Sequence, residues 1–371
     1  MDQHTYSTFI EAIKEVPDPR KARGKRYPWS FLLSLVSGAL ASGQQTAHAI
    51  AHWIVLHATE LREQLQPPRA TMPSESTIRR LLRHLDVEEL ERQVSRYNQQ
   101  LAAEVSQTGT IATPTGEVWQ GQALDGKELR GVRAHGETLS LISLVQHGSG
   151  IVLAQREVEE KSNEIPAAPL LLAGRDLRGT VTTMDALPAQ RDLAQQILDQ
   201  HGHYLMVVKR NQGNLYDAIA LLFDQPPWLE SEKAQEYQVH TTTDKGHGRL
   251  ETHILESSPT LLDYLDRPGV GQVMRRRCKR VTVKTKVTTE TTYGITGLRP
   301  GEAGAAELET LWRGHWTIEN RTHYVRDVTM GEDACQIHTG KAPHALAALR
   351  NGILGLLRWK GWSNIADGLR Y

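Results

Sequence analysis

The sequence predicts a mixed α/β fold, with a helical N-terminal region, a central mixed sheet with helices packed on it, and a β-rich stretch before the last helices. Three observations predict it. Apolar residues recur at helical spacing up to about residue 105. From about residue 115 the pattern changes to short strands and helices in the order β-β-β-α-β-α-β. Residues 210 to about 300 are less regular and rich in alternating Thr and Val. Three strands in series followed by βαβ units indicate a mixed sheet.

The elements follow in order. "TYSTFIEAIKEV" sets Phe9, Ile10, Ile13 and Val16 at helical spacing. "VPDPRKARGKRYP" interrupts with three prolines and a glycine, and carries Arg20, Lys21, Arg23, Lys25 and Arg26. "WSFLLSLVSGALASGQQTAHAIAHWI" reads as two helices joined near Gly43. "TMPSESTIRRLLRHLDVEELERQVSRYNQQLAAEV" reads as another pair, with Ser74 or Ser76 as N-cap and Leu81, Leu82 and Leu85 as apolar stripe. "GEVWQGQALDGKELRG" is a strand ending near Asp125. "TLSLISLVQH" and "GIVLAQREVE" are two more, split by a "GSG" turn. "NEIPAAPLLLAG" is a short helix, "GTVTTMDA" a fourth strand, and "PAQRDLAQQILDQHG" a helix with Pro188 near its first turn. "HYLMVVK" is a fifth strand. After the β-rich stretch, "AAELETLWRGHWTIENRTHYVRDVTM" reads as one long helix. "APHALAALRNGILGLLRWKGW" reads as another, with Leu346, Leu349, Ile353 and Leu356 on one face.

Bulk properties narrow the class. A chain of 371 residues suggests two or three units. With 39% hydrophobic and 23% charged residues it has the composition of a soluble globular protein. The net charge is +0, so a polyanion would have to be met by local basic patches. Cys278 and Cys335 are the two cysteines and form no CxxC pair, which argues against a zinc cluster or disulfide framework and fits a reducing compartment. The N-terminus lacks the basic start and apolar run of a signal peptide. "FLLSLVSGALASG" is too short to span a bilayer, so a cytoplasmic protein without a membrane partner is expected.

The candidate chemistry lies in carboxylates. Asp125 and Asp185 each close a strand, and neighbouring strands would bring them face to face. Like charges so close resist joint ionisation unless a cation stands between them, and Mg²⁺ takes hard oxygen ligands. Glu319 is the candidate for a third carboxylate. On a helix, His315, Glu319 and His323 fall at spacing four, with Asp327 one turn on. Each has a plainer reading. A strand-ending aspartate can be a turn-former or N-cap, Glu319 a solvated helix residue, and the histidines packing or surface residues. The run Arg275 to Lys286, with seven cations and no acid, can be a charged edge strand that resists aggregation.

Taken together, these motifs resemble the DDE transposases of bacterial insertion sequences, in particular the H-repeat-associated subgroup. The resemblance covers nearly the whole chain. "DPRKARGKRYPWSFLLSLVSGALASGQQTAHAIAHWI" is similar to that subgroup's N-terminal associated domain. "LDGKELRG" and "TMDALPAQ" resemble its two aspartate motifs, "KRNQGNLYDAI" the segment after the fifth strand, and "DKGHGRLETHIL" its internal HGR-x-E motif. "WTIENRTHYVRDVTMGEDACQI" resembles its glutamate signature. Related transposases carry Y-x-x-R-x-x-x-E-x-x-x-x-x-x-K around the glutamate; here Trp312, His315 and Arg326 stand at the Tyr, Arg and Lys positions.

The resemblance implies a ribonuclease H-like catalytic core over about 115–371, with 210–300 as a β-rich insertion and 305–371 as C-terminal helices, behind a helical domain over 1–105 that binds DNA ends. It implies that Asp125, Asp185 and Glu319 hold two Mg²⁺ ions, with Mn²⁺ as a substitute, for strand cleavage at element ends and transfer into target DNA. No covalent protein–DNA intermediate is needed. Contacts to double-stranded DNA are expected from Arg249, from Arg275, Arg276, Arg277, Lys279 and Arg280, and from His315, Asn320, His323 and Arg326, with Arg321 beside them. "STIRRLLRHL" can be a recognition helix carrying Arg79, Arg80 and Arg83, or an ordinary amphipathic one. A homodimer on DNA is expected, because two ends must be joined. The competing readings are an inactive or domesticated DNA-binding relative, and a metal-dependent nuclease without strand transfer.

Overall fold

The structure is a computed structural model that describes residues 7–370 apart from 22–24, 68, 106–107, 134–138, 160–162, 188, 227–236, 247, 263 and 283–285. Of the residues singled out above, Arg23, Pro188 and Lys284 lie outside the described residues. The described strands are β1 (Thr110–Ala112), β2 (Val118–Glu128), β3 (Ser140–Gln146), β4 (Val152–Val158), β5 (Thr180–Met184), β6 (His203–Val208), β7 (Gln238–Gly246), β8 (Arg249–Ser258), β9 (Gln272–Thr282) and β10 (Val287–Thr296). The chain forms two compact units that interleave along the sequence. A helical unit takes Met1–Ser106, Gly126–Asn163 and Thr317–Tyr371, and a sheet unit takes Gln107–Asp125 and Glu164–Trp316. Within the helical unit the N-terminal helices do not close a core by themselves.

In the helical unit the predicted periodicity holds. Leu32, Leu33 and Val36 of helix Trp29–Ala41 pack with Ile50 and Ile54 of Ala47–Leu56, Leu81 and Leu82 of Glu75–His84, and Val94 and Tyr97 of Val87–Glu104. Leu346, Leu349 and Ile353 of helix Ala342–Trp359 belong to the same core. That sharing explains why the two chain ends form one body: both sets of helices bury their apolar residues in one cluster. Thr8, Thr46 and Asp86 accept hydrogen bonds from Glu11, Ala49 and Glu89 N–H at 3.2, 3.0 and 3.1 Å and so cap three helices. Ser74 occupies the N-cap position of Glu75–His84 without accepting a capping bond. Gly43 joins the second and third helices with φ 77°, a left-handed conformation that costs glycine nothing. The β3–β4 hairpin is antiparallel, and its turn uses Gly148 and Gly150, both at positive φ.

A buried histidine ties three segments of this unit together. His344 Nδ1 lies 3.1 Å from Glu157 Oε2 on β4, and its Nε2 lies 2.8 Å from Glu91 Oε1 on helix Val87–Glu104. Burial alone would push the imidazole pKa down, but the two carboxylates more than offset it and raise it to about 9. A pKa raised above the unfolded value gives stability that is complete below about pH 6.5 and is lost as pH rises through about 9. The unfolding free energy from denaturant titration is expected to fall across that window by on the order of 2–3 kcal/mol. The His344→Gln variant should show no such fall, and an equal fall in it would rule out His344 as the cause.

In the sheet unit the strands run β2-β5-β6-β10-β9-β8-β7. β2, β5 and β6 are parallel, as βαβ connections require. β10 then pairs antiparallel with β6, Tyr293 opposite Val208, and β10-β9-β8-β7 continues as an antiparallel meander. The β-rich stretch is thus an extension of the same sheet and not a separate body. Helix Gly213–Asp224, not foreseen from the sequence, precedes it and buries Leu215, Ile219, Leu222 and Phe223. Helix Ala305–Gly314 covers one sheet face, where Leu308, Leu311 and Trp312 pack with Val181, Leu205 and Met274. A Cβ on Gly294 would stand 2.6 Å from the Trp312 ring, so only glycine lets that indole reach β10. Among the described residues no helix is long and apolar enough to cross a membrane.

The single long helix expected from residue 305 is not formed. The α-helix ends at Gly314, and the chain continues in π-helical turns over Ile318–His323 and Val325–Thr329. Tyr324 N–H donates to Glu319 O and Met330 N–H to Val325 O, each five residues back. A spacing of four therefore does not define one face here, which removes the predicted stripe of His315, Glu319 and His323.

Candidate active site

The register of the parallel strands decides where the two aspartates stand. Leu124 pairs with Met184, so Asp125 and Asp185 are the next residues on neighbouring strands and point to the same face. Pairing of β2 with β5 stops there, but β2 itself runs on to Glu128. Asp125 is therefore inside its strand rather than at its end. The continuation is held from the other side, where Leu129 N–H donates to Leu139 O at 2.8 Å.

Val181, Thr183 and Asp185 alternate onto the face that helix Ala305–Gly314 covers. The helix stops one residue short of His315, whose Nδ1 lies 3.0 Å from Thr183 Oγ1. Asp185 thus emerges just past the covered region, with 43% of its side chain exposed. Lys209, the residue after β6, sets its Nζ 2.6 Å from Asp185 Oδ2, and Ala186 N–H donates to Oδ1 at 2.8 Å. Burial would raise the Asp185 pKa, but these two donors more than offset it and hold it low. Burial pushes His315 down to about 4, so its imidazole is neutral. Glu164, first residue of helix Glu164–Leu172, has its pKa raised by burial and then by the Asp185 charge.

Glu319 and Asn320 are exposed on the π-helical segment, whereas His323 is buried. The segment is tied down within its own unit. Arg321 Nη1 donates to Gly148 O, Thr322 Oγ1 donates to Gly150 O at 3.1 Å, and Lys127, only 8% exposed, pairs with Asp327. Arg326 is 1% exposed and donates to both Glu332 oxygens at 2.8–3.1 Å, to Gln155 Oε1 at 2.7 Å and to Asn351 Oδ1 at 3.2 Å. That burial corrects its expected place among the DNA contacts, because a guanidinium with its donors used inside the core cannot reach a phosphate.

In the basic run only Arg276 is withdrawn in the same way, while Arg277 and Arg280 stay 42% and 39% exposed. β9 lies between β8 and β10, so it is not an edge strand. Arg276 is buried, bonded to Glu309 at 2.9 and 3.0 Å and stacked over Trp316. Arg275 and Arg277 both reach Glu256, and Arg249 and Arg280 both reach Glu251. The acids that neutralise the run sit on neighbouring elements, which a one-dimensional charge count does not reveal. Lys279 is exposed. Arg79, Arg80 and Arg83 are exposed on helix Glu75–His84, with Arg79 bonded to Glu75. Among the described residues no group of three or more His, Cys, Asp or Glu side chains is gathered closely enough to hold a metal.

Two family matches partition the chain. The Transposase DDE domain family matches residues 120–356, a span that contains Asp125, Asp185 and Glu319, and the DDE_Tnp_1-associated family matches residues 10–98. The chain belongs to the DDE transposases. Its relatives place it in the H-repeat-associated subgroup. It is 31% identical to YncI of Escherichia coli O157:H7 over 242 residues, covering 64% of this chain and 61% of YncI. It is 31% identical to the H repeat-associated YhhI of Escherichia coli K12 over 245 residues, 63% of each chain. It is 32% identical over 280 residues to a protein from the dhlA 3′ region of Xanthobacter autotrophicus, covering 73% of this chain and 88% of that one. The match thus spans under two thirds of YncI and YhhI. Within this DDE transposase, sequence reasoning assigned no role to Thr183, Lys209 or Glu332. Lys209 did stand in view, as the first residue of the quoted "KRNQGNLYDAI".

Proposed function

We propose that the chain cuts double-stranded DNA at the ends of an insertion sequence and joins those ends to target DNA, in a metal-dependent reaction on a ribonuclease H-like core. One observation carries this reading: two aspartates follow the last paired residues of adjacent parallel strands and share a face, and a cation already sits on one of them. The parallel order of β2, β5 and β6 supports the core assignment. The donors fit a hard divalent ion, since carboxylate oxygens are offered and the Lys209 ammonium stands in for it on Asp185. Asp125 and Asp185 would hold Mg²⁺ or Mn²⁺, with Glu319 as the third carboxylate. When bound, the metal supplies an activated oxygen nucleophile and stabilises the leaving 3′-oxygen.

The chain's own residues prepare the site. Ala186 N–H fixes one Asp185 oxygen, and the ammonium of Lys209 keeps the carboxyl ionised. Neutral His315 braces Thr183 beneath it and adds no charge to repel a metal. No Ser or Tyr nucleophile takes part. DNA contact falls to exposed groups such as Asn320, Lys279, Arg79, Arg80 and Arg83, and a dimer is expected on paired ends.

The test is incubation of purified protein and Mg²⁺ with DNA carrying the gene and both flanks, followed by mapping of new 3′-hydroxyl ends. Cuts at paired inverted repeats with joined products are expected. Scattered cuts would replace this reading with a nuclease, and salt-sensitive binding without cuts would replace it with a DNA-binding relative.

A further inference from the structure

We propose that Lys209 is a built-in counter-cation that the divalent metal must displace from Asp185. The inference rests on the metal-binding reading above and deepens it. β5 pairs with β6 at Met184 and Met206, so Asp185 stands level with Val207, and Lys209 lies two residues further on the same face. Its Nζ occupies Oδ2 at 2.6 Å while Ala186 N–H occupies Oδ1. Both oxygens are therefore engaged before any metal arrives. An ammonium and a hard cation compete for the same oxygen lone pairs, so one must leave for the other to bind.

The geometry also makes the exchange possible. Lys209 is 56% exposed, and its stem is flexible and free to swing into solvent. An exposed pair of this kind is weak, so a divalent ion can displace it. What the lysine provides in the absence of metal is restraint. Asp185 has the carboxylate of Asp125 on the neighbouring strand, and its charge is felt at Glu164. A tethered cation offsets the repulsion between these neighbouring carboxylates. Metal loading is then a substitution of one cation for another on a preformed carboxylate, not the creation of a new charge site.

The experiment is Mn²⁺ binding to the full chain without DNA, read by calorimetry and by the paramagnetic signal of free Mn²⁺. It compares wild type with Lys209→Met, Lys209→Arg, Asp185→Asn and Arg210→Ala. Lys209→Met should bind Mn²⁺ about tenfold more tightly, because a unit charge within a few ångströms of a dication is removed. Lys209→Arg should stay close to wild type. Arg210 stacks on Tyr216 and has no part in the Asp185 pair, so Arg210→Ala should change little. Lys209→Gln repeats the test if the methionine variant does not fold. Equal or weaker binding by Lys209→Met, or equal tightening by Arg210→Ala, would overturn the inference. If Asp185→Asn binds Mn²⁺ as wild type does, the metal reading itself falls and takes the inference with it.

Discussion

Asp185→Asn is expected to lower Mg²⁺-dependent cleavage of end-bearing DNA by roughly 10²–10³-fold or more while the protein melts close to the wild type. The kinetic loss follows from removing a preorganised charge at the point where charge develops on the phosphate oxygens. The small stability change follows from the contacts. Asp185 is half-exposed and bonds only Lys209 and the Ala186 N–H among the contacts described. Asparagine keeps the size of the side chain and retains an oxygen for that N–H, and the lost exposed ion pair contributes about 1 kcal/mol or less. Single-turnover cleavage and a thermal melt on the same preparation read the two quantities separately. Cleavage at the wild-type rate would remove Asp185 from the chemistry.

Arg326→Ala should have the opposite profile, with a loss of about 3–5 kcal/mol from the helical unit. The guanidinium is buried and paired with Glu332, which is buried as well. Burial would raise the Glu332 pKa, but Arg326 and Arg350 more than offset it and keep it ionised. Alanine would strand that carboxylate, together with Gln155 and Asn351, in a medium that solvates none of them. Against the 5–15 kcal/mol typical of a whole domain, such a loss is a large fraction of the total. Urea unfolding measures it, and Arg326→Ala combined with Glu332→Gln should recover part of it. A loss under about 1 kcal/mol, with weakened DNA binding instead, would return Arg326 to the phosphate contacts.

Local pattern was legible where burial on one face dictates sequence. The periodic leucines of the helices and the β-β-β-α-β-α-β order are of this kind, and Asp125 and Asp185 were placed on neighbouring strands before the register was known, although Asp125 lies inside its strand. Pairing across distance was not legible. Nothing near Arg276 in sequence announces Glu309, and nothing near Arg326 announces Gln155 or Asn351. The edge-strand reading of the run and the place given to Arg276 failed for that reason. The helix around Glu319 was misread because α- and π-helical turns use the same residue types and differ only in which carbonyl each N–H reaches. Helix Gly213–Asp224 was passed over since its polar "KRNQGN" entry resembles a loop.

The π-helical stretch makes chain length, more than composition, the sensitive quantity between Thr317 and Met330. Each i→i+5 turn holds one residue more than an α-helical turn would, so the segment contains slack that α-helical bonding could absorb. Deleting one residue after Glu319 would let the bonds shorten to i→i+4. Later side chains would then be shifted along the axis and partly turned relative to Glu319. Arg326 would move away from Gln155 and Asn351, and Asp327 away from Lys127. Conservative substitutions on the exposed side of this segment should be borne easily, while a single-codon deletion should be as damaging as loss of the buried arginine.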